Sequence, residues 1–507
     1  MRDHEPRQNA AAGEGIAGAG ALVLLAVLGA GCSARTAAPP EAPEPATPAV
    51  DEVDAPRPNV LLICIDDLRP ELGCYGATPV VSPNLDAFAA TSLRFDRHYV
   101  QHPTCGASRF AFLLSRTPSE PAHFGNGAFA TLGEDFDPAT SLPGAFRAAG
   151  YHTAVLGKVS HSHDGRAADG SQELPGAWDE LPTDPGPWKE AKHLLHGYGG
   201  GRARIPGKSP ISEAVFTDDH DYPDAQLADQ AVATLRRLEA ADEPFFLAVG
   251  FFKPHLPFAA PRKYWELYER DALPLSPCPD PPADLPAVNG WGQSGEVTNN
   301  YLAVGYENRT WSTSARRHLR HGYLACVSYV DAQVGKLLRE VDELGLADDT
   351  LVVVWGDHGW HLGDLGLFGK HTPYEASLRS ALLMRVPGVT PAGEGTRALV
   401  EAVDVFPTLA ELCGVPVDAK LAGKSFAEVL AAPNTNHRIT ARSWSRHGKR
   451  TALSRRSRGH RYLRWTDPTG AELGTELYSL LATPFETRHL ADDLSFIGYA
   501  NDLGLVD

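Results

Sequence analysis

The sequence has no CxxC pair and only seven cysteines among its 507 residues. That scarcity excludes a disulfide-dense scaffold and a cysteine-ligated zinc site, because both need clustered thiols. Cationic excess is missing as well. The formal net charge is -17, so long-range repulsion opposes nucleic acid or an anionic membrane surface as the main partner. No internal repeat is visible, which excludes a solenoid or a propeller. The apolar run at residues 16–28 falls short of the roughly 20 residues a membrane span needs. It follows Arg2 and Arg7, consists of Ile, Ala, Gly, Val and Leu, and ends at Gly29-Ala30-Gly31-Cys32. Those flanks are those of a secretory signal, expected over residues 1–32. Export to the periplasm or outer surface follows, with the Pro-, Ala- and Glu-rich residues 33–57 as an extended tether.

What is present reads as an α/β chain too long for one core. Short apolar runs alternate with segments of helical period, the pattern of a mostly parallel central sheet flanked by helices. Strands are expected at 59–65, 153–156, 245–249, 351–355 and 381–386. Helices are expected at 224–238, with Leu227, Ala231, Leu235 and Leu238 on one face, and at 315–344, stopped by Gly345. This catalytic unit spans residues 58–433. Beyond Pro433 the chain turns polar and basic, with strand-like pieces at 461–465 and 476–480. A smaller C-terminal α+β domain is expected over residues 434–507.

Two of these strands would deliver acids to one place. The buried run at 60–65 ends in Asp66 and Asp67, and the run at 351–355 leads to Asp357 and His358. In open parallel sheets the carboxyl edge is where ligands bind. Carboxylates converging there need a cation, and oxygen-rich ligation suits Ca²⁺ or Mg²⁺ better than zinc. Either pair alone reads equally as turn or helix caps. Among the cysteines, Cys64 and Cys326 lie in apolar runs as small filler. Cys74, Cys278 and Cys413 are available to pair in an oxidising compartment. Cys105, among Pro103, Gly106 and Arg109, fits neither description.

Cys105-Gly106-Ala107-Ser108-Arg109, preceded by Ser82-Pro83-Asn84-Leu85-Asp86, resembles the signature of the type I sulfatases, in which the cysteine is oxidised to formylglycine. The resemblance continues in order through Ile65-Asp66-Asp67, Gly157-Lys158-Val159-Ser160-His161, Lys253-Pro254-His255, Val327-Ser328-Tyr329-Val330-Asp331, Gly356-Asp357-His358-Gly359-Trp360 up to Lys370, Asp404-Val405-Phe406-Pro407-Thr408 and Glu476-Leu477-Tyr478. The KPH and DHGW segments are most similar to the iduronate-2-sulfatase branch.

The resemblance implies an alkaline-phosphatase-like fold and a Ca²⁺ ion held by Asp66, Asp67, the formylglycine made from Cys105, Asp357 and His358. It implies that Arg109 and Lys158 hold the nucleophile and sulfate, that His161 serves the aldehyde diol, and that His255 and Lys370 grip the sulfate. One hydroxyl of the hydrated aldehyde would attack sulfur as Asp357 takes its proton. The second would expel sulfate with His161 as base, while His255 or Lys370 protonates the leaving alcohol. The implied partners are a sulfated saccharide, with a 2-O-sulfated uronate expected from the branch, and a formylglycine-generating enzyme during maturation. The basic residues 446–458 would offer a cation to a sugar carboxylate, or serve only as a solvated loop. Cys32 resembles the lipid-accepting cysteine of bacterial lipoproteins, which implies a lipid anchor. Ala107 stands where the family has proline, within the segment the maturing enzyme reads. The alternatives are a phosphate or phosphonate ester hydrolase using the same charged pocket, and a lipoprotein that binds sulfated glycan without turnover because Cys105 stays a thiol. His163, His361 and His371 match no family position.

Overall fold

The computed structural model describes residues 57–118, 120–162, 172–181, 186–188, 190–282, 285, 292–417 and 420–490. The expected signal segment, the tether up to residue 56, Cys32 and His163 lie outside them. The central sheet is built from β1 (Asn59–Ile65), β2 (Leu93–Phe95), β3 (His152–Gly157), β4 (Phe245–Phe251), β5 (Thr350–Gly356), β6 (Leu382–Arg385) and β7 (Gly395–Thr396). Their order is β7-β2-β6-β5-β1-β4-β3. The four strands β5, β1, β4 and β3 are mutually parallel. On the other side β6 runs antiparallel to both β5 and β2.

Burial on both faces explains the apolar runs. In β1, Leu61, Ile63 and Ile65 enter one core, and Val60, Leu62 and Cys64 enter the other. Period-two alternation between two apolar layers is what a strand covered by helices on both sides requires. The first layer is closed by α2 (Pro223–Glu239) and the long α4 (Thr313–Glu343), the second by α1 (Cys105–Leu114). Proline at the first position starts α2, and the Ser312 hydroxyl caps α4 by accepting the Ala315 N–H at 3.2 Å. Gly345 stops α4 at φ +72°. A short α3 (Gly295–Asn299) and α5 (Glu375–Leu378) flank the sheet's carboxyl edge.

Beyond Pro433 the described residues form a four-stranded antiparallel sheet of β8 (Ala441–His447), β9 (Arg450–Arg456), β10 (His460–Thr466) and β11 (Glu472–Ser479), in that order. The small α component expected there is not found among the described residues. This sheet grips the catalytic body through buried ions: Arg456 Nε and Arg461 NH2 donate to Glu375 Oε2 at 3.0 and 2.6 Å. Tyr374 OH donates to Glu476 Oε2 at 2.9 Å. The six cysteines of the described residues are all free, so Cys74, Cys278 and Cys413, though available to pair, do not.

Candidate active site

Four strand ends meet at one edge because register fixes them. Ile65 is level with both Gly356 and Phe251, and Gly157 with Gly250. The residues that follow are therefore Asp66-Asp67, Asp357-His358, Lys253 to His255, and Lys158. The turn into Lys158 demands glycine. Gly157 has φ +68°, and a Cβ there would lie 2.3 Å from the Gly250 carbonyl. Asp67 itself takes φ +60°, a conformation aspartate tolerates better than most residues and one that recurs where function fixes the backbone.

Cys105 opens α1, so its side chain sits at a helix start facing that edge. Arg109, one turn on and fully buried, organises the carboxylates. Its Nε donates to Asp357 Oδ2 at 2.9 Å and its NH2 to Asp66 Oδ1 at 3.2 Å, while NH1 donates to the carbonyls of Lys158 and Val159. Lys158 Nζ donates to Asp66 Oδ2. The Asp67 N–H donates to Asp357 Oδ1 at 2.8 Å. Lys370 Nζ reaches both Asp67 Oδ1 at 2.7 Å and Cys105 Sγ at 3.2 Å. His358 Nε2 is 3.2 Å from that sulfur and 3.3 Å from Asp67 Oδ1.

The charges behave accordingly. Burial opposes ionisation of Asp66, but Lys158, His255 and Arg109 hold it well below the usual carboxylate range. For Asp67 burial wins over Lys370 and His358, and its carboxyl is pushed well above that range. Burial pushes the Cys105 thiol up to about 12, with Asp66 adding to the effect. Asp67 Oδ2 is buried without a hydrogen-bond partner. Asp66, Asp67, Cys105 and His358 each offer a ligand atom, all within 4.8 Å of one another. An orphaned carboxylate oxygen beside a second aspartate and a histidine fits a divalent cation. Asp357 stands beside this group, its Oδ1 3.7 Å from His358 Nε2.

The remaining expected residues are His255 and His161. His255 is buried, with Nδ1 2.6 Å from the Leu256 carbonyl and Nε2 3.0 Å from Glu296 Oε1. Burial, then Lys370, pushes it down to about 4. His161 is half-buried in the loop after Lys158. Of the unmatched histidines, His361 is structural, tied to the Asp364 carbonyl and Thr372. His371 accepts or donates at 2.8 Å with Thr104 Oγ1 beside Cys105.

Sequence reasoning missed Glu296, whose neighbours come from distant segments. Lys253, quoted in the KPH segment without a role, donates from Nζ to the carbonyls of His255 and Pro257 at 3.0 and 2.7 Å and so braces the His255 loop.

Residues 58–415 match the Sulfatase family. The chain is 33% identical to iduronate 2-sulfatase of Mus musculus over 406 residues, covering 75% of this chain and 72% of the relative. It is 28% identical to a sulfatase of Formosa agariphila, covering 88% and 85%. Among solved structures, a phosphonate monoester hydrolase of Agrobacterium radiobacter superposes with a TM-score of 0.71 at 24% identity, covering 88% of this chain and 95% of that one. A structure in complex with its substrate D-glucosamine-2-N,6-O-disulfate gives 0.68 at 19%, covering 89% and 96%. The fold is thus that of this wider group, and with the family matched over most of its length and the acids, thiol and lysines brought to one sheet edge, the chain belongs to the sulfatase family.

Proposed function

We propose that this sulfuric ester hydrolase removes sulfate from a sulfated saccharide, with a 2-O-sulfated uronate as its preferred residue, at a formylglycine made from Cys105 beside Ca²⁺. The observation that carries the reading is the meeting of Asp66, Asp67, Asp357, His358, Lys158 and Lys370 around Cys105 at the carboxyl edge of parallel strands. When in place, the formylglycine supplies the nucleophilic oxygen and the cation polarises the sulfuryl group.

The chain's own residues do the rest. Asp66, Asp67, Asp357 and His358 would hold the cation. Arg109 spends its donors on Asp66, Asp357 and two carbonyls, so it acts by fixing those carboxylates more than by gripping sulfate. Lys370 and Lys158 place positive charge where the sulfuryl oxygens gain charge. Asp357 would take up the proton released at attack, His161 would be the base for sulfate release, and His255 or Lys370 would deliver a proton to the leaving oxygen.

On the sugar side, Arg446 and His447 of β8 line a cavity of about 210 Å³ together with Lys370 and His371. Arg446 would meet the uronate carboxylate there. Similarity to iduronate 2-sulfatase supports that choice of sugar. The amino-terminal segment would export the protein, and Cys32 would carry the lipid.

The test compares 2-O-sulfated uronate disaccharides, 6-O-sulfated hexosamines and simple aryl sulfates at equal concentration. Preference for the uronate is expected and should weaken in Arg446→Ala. A clear preference for the hexosamine would overturn the sugar assignment and leave the sulfatase chemistry standing.

A further inference from the structure

Glu296 places a carboxylate inside the group of cations that would hold sulfate. It lies in the first turn of α3, its side chain is only 14% exposed, and its Oε1 is 3.0 Å from His255 Nε2. Its Oε2 is 3.5 Å from Lys370 Nζ, the same ammonium that lies 3.2 Å from Cys105 Sγ. A single ammonium therefore separates this carboxylate from the reacting centre. Asp66, Asp67 and Asp357 have other work, since they face Arg109, Lys158 and the candidate cation site. Glu296 is not one of the clustered ligand residues, and its Oε2 accepts no hydrogen bond.

A pocket built only to attract anions gains nothing from an acid in this place, because it cancels part of the positive charge. What it does is make every negative charge on the bound group more costly. A sulfate monoester carries one negative charge, whereas a phosphate monoester at neutral pH carries roughly 1.5 to 2. The two are otherwise alike in shape and in the charge stabilisation they require. We propose that Glu296 is a specificity-determining residue of the sulfate pocket: its carboxylate, fixed against Lys370 and His255, disfavours dianionic phosphate monoesters and tolerates monoanionic sulfate esters. The proposal rests on the sulfatase reading above.

Anchoring supports it. Lys370 is itself tied to Asp67 at 2.7 Å, and His255 is held from behind by the Leu256 carbonyl at 2.6 Å, so neither side chain can swing to carry the acid away. Burial works against the charge on Glu296, but Lys370 and His255 hold it well below the usual carboxylate range. A unit charge about 5 Å from the bound group, at an effective dielectric of about 20, corresponds to on the order of a hundredfold in relative affinity, and solvent screening reduces this to roughly tenfold.

The experiment uses the full metal-loaded chain as wild type, Glu296→Gln, Glu296→Ala and Glu296→Asp. The substrates are nitrophenyl sulfate, nitrophenyl phosphate and the diester bis-nitrophenyl phosphate, which contains phosphorus but carries one charge. The uncharged variants should raise the ratio of kcat/KM for the phosphate monoester over the sulfate roughly tenfold. The diester-to-sulfate ratio should stay put, and Glu296→Asp should keep the wild-type ratios. In a Cys105→Ala background, calorimetry of the sulfate and phosphate monoesters should show the same shift in relative Kd without turnover. Unchanged ratios in folded variants, an equal gain for the diester, or failure of both uncharged variants to fold would each overturn the proposal. Absence of sulfate turnover in the wild type would instead count against the sulfatase reading, and the calorimetric ratio would still report on Glu296.

Discussion

Replacing Arg109 by methionine removes a buried cation from between two buried carboxylates while keeping most of the volume. Arg109 is 0% exposed and its guanidinium also lies over the Trp355 ring at 5.9 Å. Breaking a buried ion pair from one side costs about 3–5 kcal/mol, because the remaining charge stays buried and unpaired. Asp66 keeps Lys158 as a partner, whereas Asp357 loses its only charged donor within hydrogen-bond distance among the described residues. The expected loss therefore sits near the lower end, about 3 kcal/mol. Arg109→Lys retains the charge without the fork that serves both carboxylates, and should fall between wild type and Arg109→Met. Combining Arg109→Met with Asp357→Asn removes the stranded charge, so the double variant should lose less than the sum of the singles by at least about 1 kcal/mol. Urea unfolding at fixed pH and calcium, followed by tryptophan fluorescence, measures all of these. A loss below about 1 kcal/mol for Arg109→Met, or strict additivity in the cycle, would refute the picture of Arg109 as the organiser of the acidic edge.

Glu375→Gln takes from Arg456 its buried carboxylate, while Arg461 keeps Glu486 at 2.6 Å, so the cost should sit near the lower end, about 3 kcal/mol, with kcat falling because α5 directly follows the loop that carries Lys370. Burial opposes the charge on Glu375, but Arg456, Arg461 and Arg379 bring it down to about 2. A carboxyl depressed in the folded state stabilises above its unfolded value of about 4.3, and that stability is lost as pH falls toward 2. Wild type should therefore lose stability across that window more steeply than Glu375→Gln, as acid unfolding curves would show. Ala107→Pro should leave the unfolding midpoint unchanged, because the first intrahelical bond of α1 is donated by the Ser108 N–H to Thr104 and the Ala107 N–H is not needed. The same change should raise the formylglycine fraction at position 105, read by hydrazine labelling. Exhaustive chelation should abolish turnover and added Ca²⁺ should restore it, while Asp67→Asn should weaken calcium binding in calorimetry; full activity of metal-free protein would contradict the assignment.

How much of this was legible in the sequence depends on how local each signal is. The expected strand at 59–65 is β1 to the residue, since a doubly buried strand writes its apolar run into consecutive positions. Asp66, Asp67, Asp357 and His358 were placed because they follow such runs directly. The direction of β6 was not legible, because a continuous apolar run reports burial and not orientation. Strands as short as Leu93–Phe95 and Gly395–Thr396 carry no period to detect. Glu296 in a short polar helix, and the Glu375 cluster with Arg456 and Arg461, acquire meaning only when distant segments meet. The suggested pairing of Cys74, Cys278 and Cys413 failed for the same reason, since distances between thiols are set by the whole fold.

The sulfatase chemistry proposed above requires formylglycine at position 105. The direct measurement is mass analysis of the tryptic peptide spanning residues 98–109, from protein purified in active form, beside its rate on a sulfate ester. An aldehyde should stand in place of the thiol, in a fraction that rises and falls with the rate across preparations and is absent from inactive Cys105→Ala. Fully active protein whose peptide carries only an intact cysteine would contradict it.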